Sequence, residues 1–316
     1  MQEGFIDPGG VLVVLSDPSV VGQLVSLTGL PALVRSAVKA IGLLGVFFVV
    51  LWMLERRSGA DRGRYLSRNF LHDCVYTLFY QGGFYNVFIY AAVANALQPR
   101  LAMFELDLLR FLPAPVDFVL YWIILDFLGY WVHRLEHANP VLWSFHSVHH
   151  SQERMTFLTT FRNHPVGMLI ANLIMLIPVL VLGIPTRVWL ILYVMQQAFE
   201  AVQHAELDWG YGRLYPIVVS PRFHAFHHGR EARYHHRNYG KLLSVWDHVF
   251  GTATGGVRPS RFGVDGLPMR ESLISQLVSP FRMIWTWGRS VVGGTTPAAG
   301  SVALTAGRAS VPRSEG

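Results

Sequence analysis

Apolar residues in this chain come in long runs rather than in the short alternation that strands produce. Residues 37–54, 74–97, 116–132, 166–183 and 188–202 are each dominated by hydrophobic side chains. A helix rises about 1.5 Å per residue, so roughly 20 such residues cross the hydrocarbon of a bilayer. These runs are predicted to be membrane helices. The last two form a hairpin, because Ile184-Pro185-Thr186 between them ends one helix and starts the next. Residues 11–30 are also apolar, but Asp17 and Pro18 interrupt them, which predicts an interfacial or half-spanning segment.

The polar positions orient this pattern. Arg56, Arg57, Arg62, Arg64 and Arg68 follow the first run, and basic loops stay in the cytoplasm. Counting crossings from there puts the segments after the third run, before the fourth and after the fifth on that same face. Nearly every histidine falls in those segments. The predicted fold is all-α: an integral membrane bundle of about four to five spans with a cytoplasmic histidine-rich helical cap.

Composition supports this placement. The 316-residue chain is 52% hydrophobic and 15% charged, whereas soluble proteins carry about 25% charged residues. A net charge of +6 raises nucleic acid as a partner. The basic residues lie in short clusters between apolar runs, however, as in cytoplasmic loops, so no nucleic-acid role is expected. Cys74 is the single cysteine, which excludes an intrachain disulfide and cysteine-ligated metal. Residues 1–10 have no basic stretch and include Glu3 and Asp7, so no cleaved signal peptide is expected. From about residue 288 the chain is rich in Gly, Ala, Thr, Ser and Pro and predicts disorder. The chain is divided into an N-terminal interfacial segment at 1–35, spans one and two at 36–112, a catalytic region at 113–257 and a C-terminal extension at 258–316.

The chain has 14 histidines, and four groups of them carry chemistry. His133 and His137 end the third run. His146, His149 and His150 follow a turn at Asn139-Pro140. His204 ends the fifth run, and His224, His227 and His228 lie further on. On a helix, positions i, i+3 and i+4 share a face, so His-x3-His aims two imidazoles together and His-x2-His-His aims three. Imidazole suits iron, zinc and copper. So many imidazoles exceed what one tetrahedral zinc takes up, and fit two metals with open positions for oxygen.

The set His133/His137, His146/His149/His150 and His224/His227/His228 resembles the fatty acid hydroxylase/sterol desaturase superfamily. Tyr130-Trp131-Val132-His133-Arg134 resembles the lead-in to that family's first box. Asn238-Tyr239-Gly240 and residues 246–252 resemble its closing signature, and residues 159–165, with Arg162 and His164, a segment of its bacterial members. The resemblance implies a membrane-bound, O2-dependent oxidoreductase with two non-haem Fe ions, which hydroxylates or desaturates a lipid. It also implies an external electron donor such as a ferredoxin or cytochrome. The implied metal ligands are His133, His137, His146, His149, His150, His204, His224, His227 and His228. Where some fatty acyl 2-hydroxylases carry a further His-x3-His, this chain has Glu200 and His204.

Three residues are candidates to support the ligands. Asp126 and His133 share a helical face with Tyr130, and an acid within a span suits the second ring N–H of a ligand histidine. Glu200 and His164 are the others. Arg222, Arg230, Arg233, Arg237 and Lys241 surround the last histidine group and could receive anionic lipid headgroups or an acidic electron carrier. An alternative chemistry stays open: His133-Arg-Leu-Glu136-His137 also reads as His-x-x-Glu-His, the pattern of a zinc metallohydrolase with Glu136 as general base. No haem-ligand or dinucleotide-binding motif is apparent.

Overall fold

The computed structural model describes residues 30–109, 111–264 and 272–294, and is helical throughout, apart from two isolated β-bridges. The predicted interfacial segment at 11–30 lies almost wholly outside the described residues. Helix α1 (Leu30–Arg57) holds the first apolar run and ends on Arg56 and Arg57. Helix α2 (Arg68–Gln81) starts at Ser67, whose hydroxyl accepts the Phe70 amide. The expected single helix at 74–97 does not form. Gly82 and Gly83 break it, Gly83 with φ +85°, a conformation open mainly to glycine. The chain resumes as a π-helical turn (Tyr85–Tyr90) leading into α3 (Ala91–Leu101).

Helix α4 (Ala114–Ala138) turns sharply into α5 (Pro140–His150). Asn139 makes the corner: its side chain accepts from the Val141 and Leu142 amides, while Pro140 occupies a first-turn position where no N–H is needed. Helix α6 (Pro165–Leu182) and α7 (Thr186–His204) form the predicted hairpin, with Gly183 in the left-handed conformation at its tip. Short helices α8 (Pro221–His227) and α9 (Val245–Val249) follow, and then α10 (Leu273–Val292).

Among the described residues, two helical segments are long and apolar enough by themselves to cross a bilayer: Val116–Ala138, with mean hydropathy 1.3, and Pro165–Leu182, with 2.4. No residue of helix α6 is fully buried, although Met168, Met175, Val179 and Leu182 pack against the apolar clusters on its inner side. Helix α7 falls short because Gln196, Gln197, Glu200 and Gln203 interrupt its apolar sequence. Helices α1 and α7 still turn large apolar side chains outward, including Val46, Val49, Val194 and Phe199.

The C-terminal region departs from expectation. Disorder was predicted from about 288, but α10 continues to Val292 from a capping box between Ser272 and Ser275. Helix α10 packs on α5 and exposes Ile274, Phe281 and Trp285. Such an amphipathic helix suits a membrane surface. Residues 295–316 lie outside the described region.

Beneath α5 sits a buried ion pair that the sequence pattern does not announce. Arg162 and Asp73 are almost wholly enclosed. Arg162 donates to Asp73 and to the Asn69 carbonyl, and Gln152 donates to the same carboxylate. This knot fastens the turn at Phe157–Phe161 to α2.

Candidate metal centre

The C-terminal ends of α4 and α7, all of α5 and the short α8 converge on one region. Their histidines form two adjoining groups. One contains His133, His137, His146, His150 and His227; the other contains His149, His204, His224 and His228. Within each group the ligand-capable atoms lie within 4.8 Å of one another, and every member is buried. The stacked rings of His150 and His228, with centroids 4.4 Å apart, join the two groups. These are the eight histidines picked out from spacing together with His204 at the end of the fifth apolar run.

The hydrogen bonds define which ring nitrogen faces inward. His133 Nδ1 donates to the Tyr239 carbonyl at 2.8 Å, and His227 Nδ1 to the Arg237 carbonyl at 2.8 Å. His204 Nδ1 donates to the Glu200 carbonyl at 2.7 Å. Each Nε2 is then a bare lone pair. His133 Nε2 and His227 Nε2 are buried without a protein partner, as are His137 Nε2, His146 Nε2 and His150 Nε2. In the other group, His204 Nε2 lies 3.0 Å from both His149 Nε2 and His224 Nε2, and His228 Nε2 lies 3.0 Å from His224 Nε2. Converging lone pairs are unfavourable unless a cation sits between them, so the donor set fits metal. Protonation does not supply that cation. Burial, reinforced by neighbouring histidines, holds His146, His149, His150, His224 and His228 below the ordinary imidazole range. Burial takes His227 to about 3.

The supporting residues are arranged differently from expectation. Asp126 does not meet a ligand histidine. Its carboxylate accepts from the Leu242 and Leu243 amides and from Trp246 Nε1, and so anchors the loop that carries the Tyr239 carbonyl. Asp247 holds the same loop from the other side, accepting from the Tyr239 and Gly240 amides and Thr252 Oγ1. The closing signature is thus a scaffold for one carbonyl. His164 lies outside both groups: Nδ1 accepts the Val166 amide at the start of α6, and Nε2 faces the Leu277 carbonyl of α10. Glu200 supports His204 through its main-chain carbonyl, while its side chain accepts from Gln196 and pairs with Lys241 at 3.4 Å. Glu136 sits 3.5 Å from His146 Nδ1.

The expected basic face is largely neutralised. Arg222 pairs with Asp208, Arg230 with Glu153 and Arg233 with Glu231. Lys241 points inward, its stem crossing α4 at Gly129, where a Cβ would come within 3.3 Å of Lys241 Cγ. Burial works to lower the Lys241 pKa, but the Glu200 and Glu136 carboxylates outweigh it and raise the value.

A cavity of about 160 Å³ runs between α4, α6 and α7 and reaches His133, His146, His149, His204 and His224. A smaller cavity of about 30 Å³ opens beside His137, His150 and His227, with His235 and His236 at its rim.

The fold and site define a helical protein with nine buried histidines in two groups that could hold metal, five of them lining an internal cavity. Residues 118–252, less than half of the chain, match the sequence model of the family described as fatty acid hydroxylase. It is similar to the ornithine lipid hydroxylase OlsE of Rhizobium tropici, at 32% identity over 60% of this chain and 58% of the relative. It is similar to the alkylglycerol monooxygenase of Danio rerio, at 35% identity over 46% of this chain and 33% of the relative. A third relative is methylsterol monooxygenase 2-2 of Arabidopsis thaliana, at 30% identity over 43% of this chain and 51% of the relative. The chain therefore spans only about a third to three-fifths of these relatives' lengths. No solved structure matches it.

Proposed function

We propose that this chain is a multi-pass membrane oxidoreductase that uses O2 and two histidine-held irons to hydroxylate or desaturate a lipid, with its histidine centre on the cytoplasmic side. The observation that carries the reading is the pair of adjoining groups of buried histidines, one with five Nε2 atoms lacking a protein partner and the other with Nε2 atoms crowded to 3.0 Å, both reaching one cavity. The relatives' names, a lipid hydroxylase and two lipid monooxygenases, support the same chemistry.

His133, His137, His146, His150 and His227 would hold one iron, and His149, His204, His224 and His228 the other. When bound, such a pair supplies the redox chemistry that activates dioxygen against a C–H bond. The protein's share is positional. The Tyr239, Arg237 and Glu200 carbonyls fix the ring tautomers. Met168, Ala171 and Met175 give the cavity an apolar side that excludes water and holds a lipid chain. Electrons come from a separate carrier, such as a ferredoxin or cytochrome.

The test is anaerobic loading of purified protein with Fe(II), followed by O2, a competent electron donor and a lipid extract. Expected are about two irons per chain, oxygen consumption, and a lipid gaining one oxygen atom or losing two hydrogens by mass spectrometry. One zinc per chain with hydrolytic products and no oxygen uptake would establish the metallohydrolase reading of His133–His137 instead.

A further inference from the structure

The cavity is polarised along its length. Helix α7 runs along one wall from Trp189 to His204, about 22 Å at 1.5 Å per residue. At its far end, Leu125 and Met175 join Trp189 beside an apolar cluster that contains Tyr121, Ile184 and Leu192. Polarity then rises towards the metal ligands: Tyr193, Gln196 and Gln197, then Glu200, then Gln203 beside His204. Lys241 enters at this level from the closing loop. Its ammonium lies 3.4 Å from Glu200, whose carboxylate also accepts from Gln196 at 3.0 Å. Helix α6, opposite, contributes Met168, Ala171 and Met175 with Asn172 among them.

Charged groups and amides at the metal end suit a headgroup: Glu200, Lys241 and Gln196 partner one another, and a headgroup can add to those contacts where a hydrocarbon tail offers none. Apolar side chains at the other end suit the tail. The same direction holds relative to a bilayer. Helix α6 begins beside α5, with Gly167 against Phe145, and runs from there through its most hydrophobic stretch. A lipid lying along α6 with its headgroup at the histidines keeps the depth and orientation it has in its own leaflet.

We infer that the cavity takes an amphiphilic lipid polar end first, with Glu200, Lys241 and Gln196 receiving a headgroup that both donates and accepts hydrogen bonds. Carbons of the headgroup, or next to it, then face the metal centre, and the distal tail does not. This inference rests on the lipid-oxidation reading above, and names the part of the lipid presented to that site.

The first test needs no activity. One primary-amine lipid is made in two photoreactive forms, with a diazirine beside the headgroup or at the tail tip, and crosslinked to the metal-free protein in detergent. The headgroup probe should label peptides containing 196–204 and 241, and the tail probe those containing 168–175 and 189. Lys241→Met should cut headgroup crosslinking about tenfold, the loss expected for one charged hydrogen bond, and Lys241→Arg should retain most of it. Tail labelling at 196–204, or no labelling of cavity peptides, overturns the inference. The second test supplies isotopically labelled O2 to iron-loaded protein with a polar lipid extract and locates the label by fragmentation. Label in the headgroup fragment supports the inference. Label in the distal tail overturns it while lipid oxidation stands. No labelled or dehydrogenated lipid, with iron bound and a donor present, counts against the oxidation reading itself.

Discussion

His204 Nε2 and His149 Nε2 stand 3.0 Å apart with no proton available from His204, whose ring hydrogen is committed at Nδ1 to the Glu200 carbonyl. One ring comes from the end of α7 and the other from α5, so the site ties distant segments together through whatever lies between these nitrogens. His149→Ala or His204→Ala should therefore reduce bound metal from about two ions per chain to about one. The group around His133 should keep its ion. Metal analysis of purified variants checks this, and unchanged stoichiometry in both would mean that these two rings are not ligands.

Asp126 acts on the site from a distance. Asp126→Ala leaves the Leu242 and Leu243 amides and the Trp246 indole N–H without their acceptor, at a cost of about 4–5 kcal/mol, the low end for three hydrogen bonds to a charged group at roughly 1.5–3 kcal/mol each. The expected result is a lower thermal midpoint together with weaker metal retention during dialysis against a chelator. Asp126→Asn, which keeps one acceptor oxygen, should recover part of both.

Arg162 and Asp73 offer a test of the scaffold without touching the histidines. Removing one partner of a buried pair leaves the other charge uncompensated, at about 3–5 kcal/mol. Arg162→Met alone should sharply lower the yield of folded protein. Combined with Asp73→Leu, much of that loss should be recovered, because neither charge is then stranded. Thermal stability in detergent measures both.

The metal-free protein should lose stability in acid. An unfolded imidazole titrates near 6.5, whereas burial takes folded His227 to about 3 and lowers His146, His149, His150, His224 and His228 as well. Between those values the unfolded chain binds more protons than the folded one, so stability falls as pH drops from about 6.5 towards about 3. Thermal midpoints measured across that range should decline steadily, and less steeply in His227→Gln.

Glu136 separates the two metal chemistries. As a hydrolase's general base it would be worth about 100-fold to 10,000-fold. As a neighbour of His146 it only helps to orient a ring. Glu136→Gln should reduce lipid oxidation by less than about tenfold, since an amide oxygen still accepts from the imidazole. Initial rates of oxygen uptake decide between the two roles.

Much of this site was legible because helical periodicity is strict. His-x3-His and His-x2-His-His fix which imidazoles share a face before any tertiary contact is known, and the eight histidines chosen that way converge together with His204, which was picked out at the end of the fifth run. The supporting contacts were not legible, because main-chain carbonyls have no sequence signature: nothing about Tyr239 or Arg237 as residue types says that their oxygens meet His133 and His227. Asp126 was noticed as an acid within an apolar run, yet its partners lie more than a hundred positions away. Lys241 was grouped with surface arginines because sequence proximity to the last histidines does not tell which way a side chain turns. The break at Gly82-Gly83 was missed because both flanks are apolar enough to conceal it.

The Tyr239, Arg237 and Glu200 carbonyls carry a consequence for how this centre can change over evolutionary time. A ring oriented by a side chain can be reset by one codon, but a ring oriented by peptide oxygen is inherited from the path of the chain. Alanine scanning across 237–243 would pass over these contacts, since each substitution retains its carbonyl. Selection reaches the Tyr239 carbonyl indirectly, through Asp126, Asp247 and the turn they hold, and the Glu200 carbonyl through the course of α7. The inner architecture is therefore buffered against drift at the positions that touch it, and exposed to drift at positions that do not.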